Sequence, residues 1–317
     1  MTDANISDID FSETKNLHNR RVERLSAHKR RTLSFLHHLS TTANSLSEKQ
    51  IYRYTTCHSY LLFHQYPELK KTKLHYALHC DNHLICPCCA IRRAAKGVKR
   101  YEDRVTELLR RNSSLRLYYV VLTVRNDEDL DRAYQHLMNS VKVLTRRRRQ
   151  AQSYFNTGNK KFISAANSVF ANVTAGAYSV EVKKGQNSCL WHPHINFLLL
   201  TEQALYASEI KSEWESITID SFMASCTEVG ATAEQSIKSG LVEIFKYAMK
   251  FSDQRNEDVL YAWELLHGRR MMGSFGAFRG IDIQADDQED LSMYEYEELF
   301  YKFSYDTEKY EKSDSFI

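Results

Sequence analysis

The sequence predicts an α+β fold: an antiparallel sheet with helices packed mainly on one face, preceded by a helical, cysteine-bearing region. Three observations carry this. LRLYYVVLTV, 115–124, is β-branched and aromatic and reads as a buried strand. GAYSVEV, 176–182, and WHPHINFLLL, 191–200, flank the polar turn KKGQNS and read as a hairpin. Helical patterns occupy the chain between and after these runs, which is the element order of sheets covered by helices rather than of a bundle.

The elements follow in order. Residues 1–15 are short of large apolar side chains and predict a disordered N-terminus. Over 16–52, basic residues alternate with Leu25, Leu33, Leu36 and Leu39 at helical spacing, giving one or two helices. Residues 53–90 hold five of the seven cysteines and show no clear period. Residues 91–111, rich in Arg, Lys, Ala and Leu, read as a helix. In 129–149 the stripe Leu130, Ala133, Tyr134, Leu137, Val141 and Leu144 marks an amphipathic helix, capped by Asp127 or Asp129. Helices are expected at 202–217, 240–251 and 257–268, a short strand near 226–235, and a turn punctuated by Gly268, Gly273 and Gly276. The domain expectation is a disordered 1–15, a helical and zinc-binding DNA-binding region 16–111, a catalytic domain 112–281 and an acidic tail 282–317.

No apolar run approaches the ~20 residues that span a bilayer, and the N-terminus MTDANISDIDFSETK is unlike a secretory signal. A cytoplasmic protein is expected, and crowded cysteines there point to metal rather than disulfides. The net charge of +3 hides an asymmetry. From residue 282 onward, twelve Asp/Glu against three Lys give −9, leaving +12 on residues 1–281. Basic clusters recur at Arg20–Arg21, Lys29–Arg31, Arg92–Lys99 and Arg146–Arg149. A solvated helix face explains any one of them; together, beside a cysteine cluster, they point to nucleic acid.

In WHPHINFLLL, alternation puts His192, His194 and Asn196 on one strand face. Glu181, across the hairpin, lies near His192 or His194. Two neutral imidazoles and a carboxylate leave open positions on a divalent ion, which suits Mg²⁺ or Mn²⁺ as a Lewis acid. The competing reading is a pair of surface histidines. Pro193 lacks an N–H, so it predicts an edge strand or the beginning of one.

In LVEIFKYAMKFSD, Glu243 and Tyr247 stand four apart on one helix face, and Lys246 and Lys250 form a second such pair. A phenol is a poor nucleophile unless charge nearby assists it. The carboxylate is placed to serve as general base. In a chain with 19 tyrosines, a solvated Glu–Tyr pair is the bland alternative.

Cys57 is followed by HCDNHLICPCC, with Cys80, Cys86, Cys88 and Cys89. Cys86 and Cys89 have Cys-x-x-Cys spacing; with Cys80 and Cys57 they make a tetrahedral zinc set. His58, His79 and His83 are rival ligands, and Cys88 is an extra thiol able to replace a neighbour. IRRAAKGVKR follows at once, so Arg92, Arg93 and Lys96 would be presented to DNA. Cys189 and Cys226 read as packing residues.

In this order the motifs resemble those of plasmid rolling-circle replication initiators, within the HUH endonuclease superfamily. The cysteine segment resembles that family's C…CPxC cluster, YYVVLTV its strand motif, WHPHINFLLL its metal motif W-H-P-H-x-H, VEIFKYAMKFSD its motif E-x-x-K-Y-x-x-K, and GRRMMGSFGAFRG its Gly-rich segment. The resemblance covers about 53–281. One position departs: Asn196 stands where the family carries a third histidine. His194 is a ligand whether the pair is His192–His194 or His194–Asn196.

The resemblance implies a sheet of about five antiparallel strands with the His strand at its centre and the Tyr helix lying across it. It implies that Tyr247 attacks a scissile phosphate at the plasmid origin, forming a 5′-phosphotyrosine link and freeing a 3′-hydroxyl primer, with Lys246 and Lys250 supporting and Glu243 activating water for release. It implies a bacterial cytoplasmic protein with origin DNA, a host helicase and a DNA polymerase as partners, and no membrane. Arg146, Arg147, Arg148 and Arg149 are expected to contact duplex, and Trp191 either to stack on an extruded base or to sit in the core. The alternatives are a transposase or relaxase with the same chemistry, or a non-catalytic zinc-dependent repressor.

Overall fold

The computed structural model describes residues 12–42, 47–219, 223–229, 234–245, 254–279 and 293–315. The chain forms two compact units. One comprises Met1–Cys89 with Gln284–Ile317, the other Ala90–Ile283. The boundaries differ from those expected at 111 and 282.

The first unit is built from α1 (Ser12–Thr42), α2 (Glu48–Thr56), β1 (Tyr60–Tyr66) and β2 (Lys71–Ala77). Ser47 caps α2 through a reciprocal box with Gln50. The acidic C-terminal segment is part of this unit. There β8 (Glu297–Ser304) and β9 (Lys309–Ser313) complete an antiparallel sheet of order β2-β1-β8-β9. Charged residues hid its alternation: in EELFYKFS, Phe303 is buried and joins Leu61, Phe63, Ala77 and Tyr310 beneath Val22 and Leu25 of α1. The expected disordered segment 1–15 falls mainly outside the described residues.

In the second unit α3 (Pro87–Arg111), begun in the first, leads into β3 (Arg116–Thr123), α4 (Leu130–Thr157), β4 (Val173–Lys184) and β5 (Trp191–Thr201). Then come α5 (Ala207–Thr218), β6 (Ala224–Glu228), α6 (Glu234–Phe245), α7 (Asn256–Leu266) and β7 (Met272–Gly276). The strands form one antiparallel sheet of order β6-β3-β5-β4-β7, with the His strand at its centre. Asp129 is the cap of α4, accepting from the amides of Asp131 and Arg132. The Gly-punctuated segment is a strand as well as a turn, because Gly276 at φ 62° turns the chain only after β7 has paired with β4.

Helices cover both faces of this sheet, not mainly one. On the first face Ala175, Ala177, Leu198 and Leu200 pack against Val98, Tyr101 and Val105 of α3 and Leu241, Ile244 and Phe245 of α6. On the opposite face α4 lies with Arg148 over the ring of Phe275, which contacts the Gly176 position. A side chain at Gly176 would overlap that ring, so glycine is required there. α5 and α7 flank α4.

Pro193 lies at the beginning of a central strand, the second of the two expectations, and not at a sheet edge. Trp191 exchanges both backbone hydrogen bonds with Asp127, on the β3 side. Pro193, two residues on, is directed to the same side, where the β3 ladder has already stopped at Thr123 opposite His194. Its missing N–H therefore costs no ladder bond.

Candidate functional site

His192, His194 and Asn196 of β5 and Ser179 and Glu181 of β4 share the sheet face that α6 covers, by the parity that buries Ala177 and Leu198 there. Glu181 pairs directly opposite His194. Its carboxylate Oε2 is 3.1 Å from His194 Nε2, both groups being largely buried. At that separation the two side chains are in direct hydrogen-bond contact. His194 Nδ1 is buried with no hydrogen-bond partner among the described residues. His192 Nδ1 lies 2.5 Å from Asn126 Oδ1. Burial, then the neighbouring His194 and Lys183, lowers the His192 pKa, which keeps the ring neutral and its lone pair available at neutral pH. The two rings lie 5.7 Å apart. Among the described residues, His192, His194 and Glu181 lie on one sheet face but do not close into a three-ligand group; only the cysteines form such a group, with all ligand atoms within 4.8 Å.

Asn196 is buried, and its Oδ1 accepts a 2.8 Å bond from the Tyr119 hydroxyl. Sequence reasoning missed Tyr119, Asn126 and Ser179. Ser179 was legible in principle, since it precedes Glu181 by one strand period. Asn126 sits in a loop and had no signal.

The face also fixes how the chain approaches the tyrosine motif. Ser179 Oγ donates to the carbonyl of Ile244, in the last turn of α6. Phe245 stacks on Tyr101 at 5.2 Å. Beyond the motif, the Gln254 side chain accepts from the Lys184 N–H at 3.0 Å and donates to the Lys184 carbonyl at 3.1 Å. Both flanks of 246–253 are therefore tied to β4, at positions 179 and 184, on either side of Glu181. Lys246, Tyr247 and Lys250 lie outside the described residues, as does the side chain of Glu243.

Two of the expected DNA contacts are corrected. Trp191 is 3% exposed, with Lys184 Nζ 5.2 Å from its ring centre and Tyr261 against it. It belongs to the core and has no open face for a base. Arg148 is 8% exposed; its guanidinium donates to the Val173 carbonyl, and burial lowers its pKa to about 10. The helical period explains this: in a run of four arginines, one position must face the sheet. Arg146 and Arg149 are exposed, and Arg147 bonds Ser216. Arg92, Arg93 and Lys96 lie in α3, within the two turns that follow Cys89.

In the first unit, Cys57, Cys80, Cys86 and Cys89 converge as one buried group. Sγ–Sγ separations are 3.6 Å for Cys57–Cys86 and Cys57–Cys89, and 3.5 Å for Cys80–Cys89. A zinc ion with ~2.3 Å bonds to sulfur sets tetrahedral edges of about 3.8 Å, so the set fits zinc. The amide of Cys80 points at Cys57 Sγ, 3.3 Å away. Hydrogen bonds from the neighbouring thiols, Cys57 first, hold Cys86 low and Cys89 at about 6, while Cys57 is pushed up, chiefly by its bonding to Cys80 and Cys86. Cys88 is buried beside the four, outside the group. Pro87 opens α3, where its fixed φ suits a first turn and its missing N–H leaves no orphan.

The fold and the two clusters describe an α+β protein with a cysteine knuckle and a His–carboxylate sheet face. A family model described as "Replication protein" matches residues 71–312, and the chain belongs to that family. "Protein rep" of Streptococcus pneumoniae serotype 2 is 26% identical over 253 residues, covering 74% of this chain and 71% of that protein. No solved structure matches. Membership implies DNA binding. No helix among the described residues is long and apolar enough to cross a membrane.

Proposed function

We propose that the protein initiates plasmid replication by nicking one strand of its origin. Tyr247 is the nucleophile, and His192, His194 and Glu181 hold a Mg²⁺ or Mn²⁺ ion. The observation that carries this reading is the tethering of both flanks of the tyrosine segment to the strand bearing Glu181. Phe245, two positions before Tyr247 in the sequence, is brought to this sheet face by the anchored α6.

The bound ion supplies Lewis-acid polarisation of a non-bridging phosphate oxygen. The chain's own groups do the rest. The Tyr247 oxygen bonds to phosphorus, the bond from phosphorus to the 3′ oxygen breaks, and that oxygen takes up a proton to become the primer hydroxyl. Lys246 and Lys250 offset charge on phenolate and phosphate. Glu243 removes a proton from water in the release step. Because the Asn196 oxygen is engaged by Tyr119, we assign the metal pair as His192 and His194. Cys57, Cys80, Cys86 and Cys89 would hold zinc and so brace Pro87–Cys89 at the start of α3; Arg92, Arg93 and Lys96, with Arg146, Arg147 and Arg149 on α4, are assigned to origin DNA. A host helicase and polymerase would extend the primer.

The test is covalent capture of a single-stranded origin oligonucleotide in Mg²⁺ or Mn²⁺, with the linked residue mapped by mass spectrometry. The adduct is expected on Tyr247, lost in Tyr247→Phe and kept in Tyr261→Phe. An adduct that persists in Tyr247→Phe would refute the assignment. Absence of any adduct together with intact zinc-dependent origin binding would favour a repressor.

A further inference from the structure

Lys29 of α1 is 0% exposed. Its Nζ donates to the carbonyl of Thr55, to the carbonyl of Cys57 at 2.7 Å and to Ser59 Oγ at 3.4 Å. All three acceptors are neutral, and the Phe303 ring centre is 5.9 Å away. No carboxylate among the described residues pairs with this ammonium. A buried charge without a counter-charge is strongly disfavoured, so the ammonium stays charged only with a negative group close by. The nearest source is the cysteine cluster, because Lys29 holds the backbone of Cys57 itself. A second residue of the same helix, Thr32, lies one turn along, its Oγ1 3.8 Å from Cys86 Sγ.

We propose that Lys29 is the fixed counter-cation of a tetrathiolate zinc site, clamping the Cys57 loop and offsetting the charge that four thiolates leave on a divalent ion. Four thiolates and Zn²⁺ carry a net −2, and a fully desolvated ammonium beside them recovers part of that cost for both groups. Metal binding and docking of α1 are then one equilibrium. With metal, the ammonium is compensated. Without it, the thiols share protons, and Lys29 is left as an isolated buried cation. Residues 12–57, including Lys29 and the first ligand, precede the segment that the family model matches, so the device is read from this chain's own packing. It rests on the zinc reading of the cluster, and it is independent of the nicking chemistry.

The experiment uses the full-length protein. Elemental analysis first measures zinc per chain in the wild type; a protein that holds and binds no zinc would remove the metal reading and Lys29's role with it. Zinc affinity is then measured by competition with a chromophoric chelator for wild type and Lys29→Met, a neutral replacement of similar length. A supporting partner of this kind is worth about 10- to 100-fold in affinity, so Lys29→Met is expected to bind zinc at least 10-fold more weakly. Retention within threefold would overturn the proposal. If Lys29→Met does not fold, amide exchange of wild-type α1 before and after chelation decides. Loss of protection over residues 22–36 is expected on zinc removal, and unchanged protection would overturn the coupling.

Discussion

Gly97 on α3 faces the ring of Phe245, and the close approach makes a quantitative prediction. A Cβ at position 97 would lie 2.8 Å from both Cγ and Cδ1 of Phe245. Carbon–carbon contacts are optimal near 3.5–4.0 Å, so Gly97→Ala creates an overlap of about 1 Å. The ring has little room to retreat: Phe245 is buried and stacked on Tyr101. Overpacking of this kind costs about 1–3 kcal/mol. Alanine returns about 1 kcal/mol of helix propensity over glycine, so the net loss of stability is about 0–2 kcal/mol, measured by urea unfolding of zinc-loaded protein. The effect on the reaction is larger. The strain falls on the last turn of α6, two residues before Tyr247, and a 1 Å displacement of a reacting group costs up to ~100-fold in rate. The single-turnover rate of oligonucleotide capture is therefore expected to fall at least 10-fold while oligonucleotide affinity changes little. Adding Phe245→Leu removes the overlap and should restore most of the rate. A Gly97→Ala protein that captures within twofold of wild type would refute the idea that α6 delivers the nucleophile to this face.

Glu181→Gln keeps the shape of the carboxylate and removes the charge opposite His194. It should weaken Mn²⁺ binding by at least 10-fold in calorimetry without oligonucleotide, and His194→Ala more so; unchanged Mn²⁺ affinity in both would place the ion elsewhere. The arginine run should split by face. Arg146→Ala with Arg149→Ala should lower the salt slope of duplex binding by roughly 1.8 and leave stability unchanged. Arg148→Ala should cost about 1–3 kcal/mol by removing a buried donor to the Val173 carbonyl, which keeps Gln152, and the packing on Phe275, with no change in salt slope. A salt slope that follows Arg148 instead would reverse the assignment.

What was legible depended on how much of each element was buried. β3 and β5 are covered on both faces, so YYVVLTV and INFLLL are nearly continuous apolar runs that nothing else imitates. The stripe of α4 was readable for the same reason, down to Leu144, while its continuation through Arg148 was masked by charge. β1, β2 and β8 pack on α1 by one face only. Their other face carries His64, Lys73, Glu298 and Lys302, with His64 itself buried between His75 and Tyr296, and in β2 the register slips between Leu74 and Tyr76. A broken period among charged residues does not announce a strand. In the candidate site, the shared face of His192, His194 and Glu181 was readable from strand parity and the hairpin. The Tyr119 hydroxyl on Asn196 and the Asn126 contact to His192 were not, since one crosses between neighbouring strands and the other comes from a loop. The cysteine ligands were readable because Cys-x-x-Cys spacing survives without any secondary structure.

The pairing of β1 with β8 has a consequence for biosynthesis. Tyr60–Tyr66 leaves the ribosome well before its second neighbour, Glu297–Ser304, is made. The 215 residues from Cys89 to Ser304 take roughly 10–40 s to translate at bacterial-type rates. Throughout that interval β1 keeps one unpaired edge, a template for sticking to another nascent chain, while 90–283 is available to fold as a continuous stretch. A premature stop before residue 297 would therefore injure the protein at residue 60, more than two hundred positions upstream of the lesion.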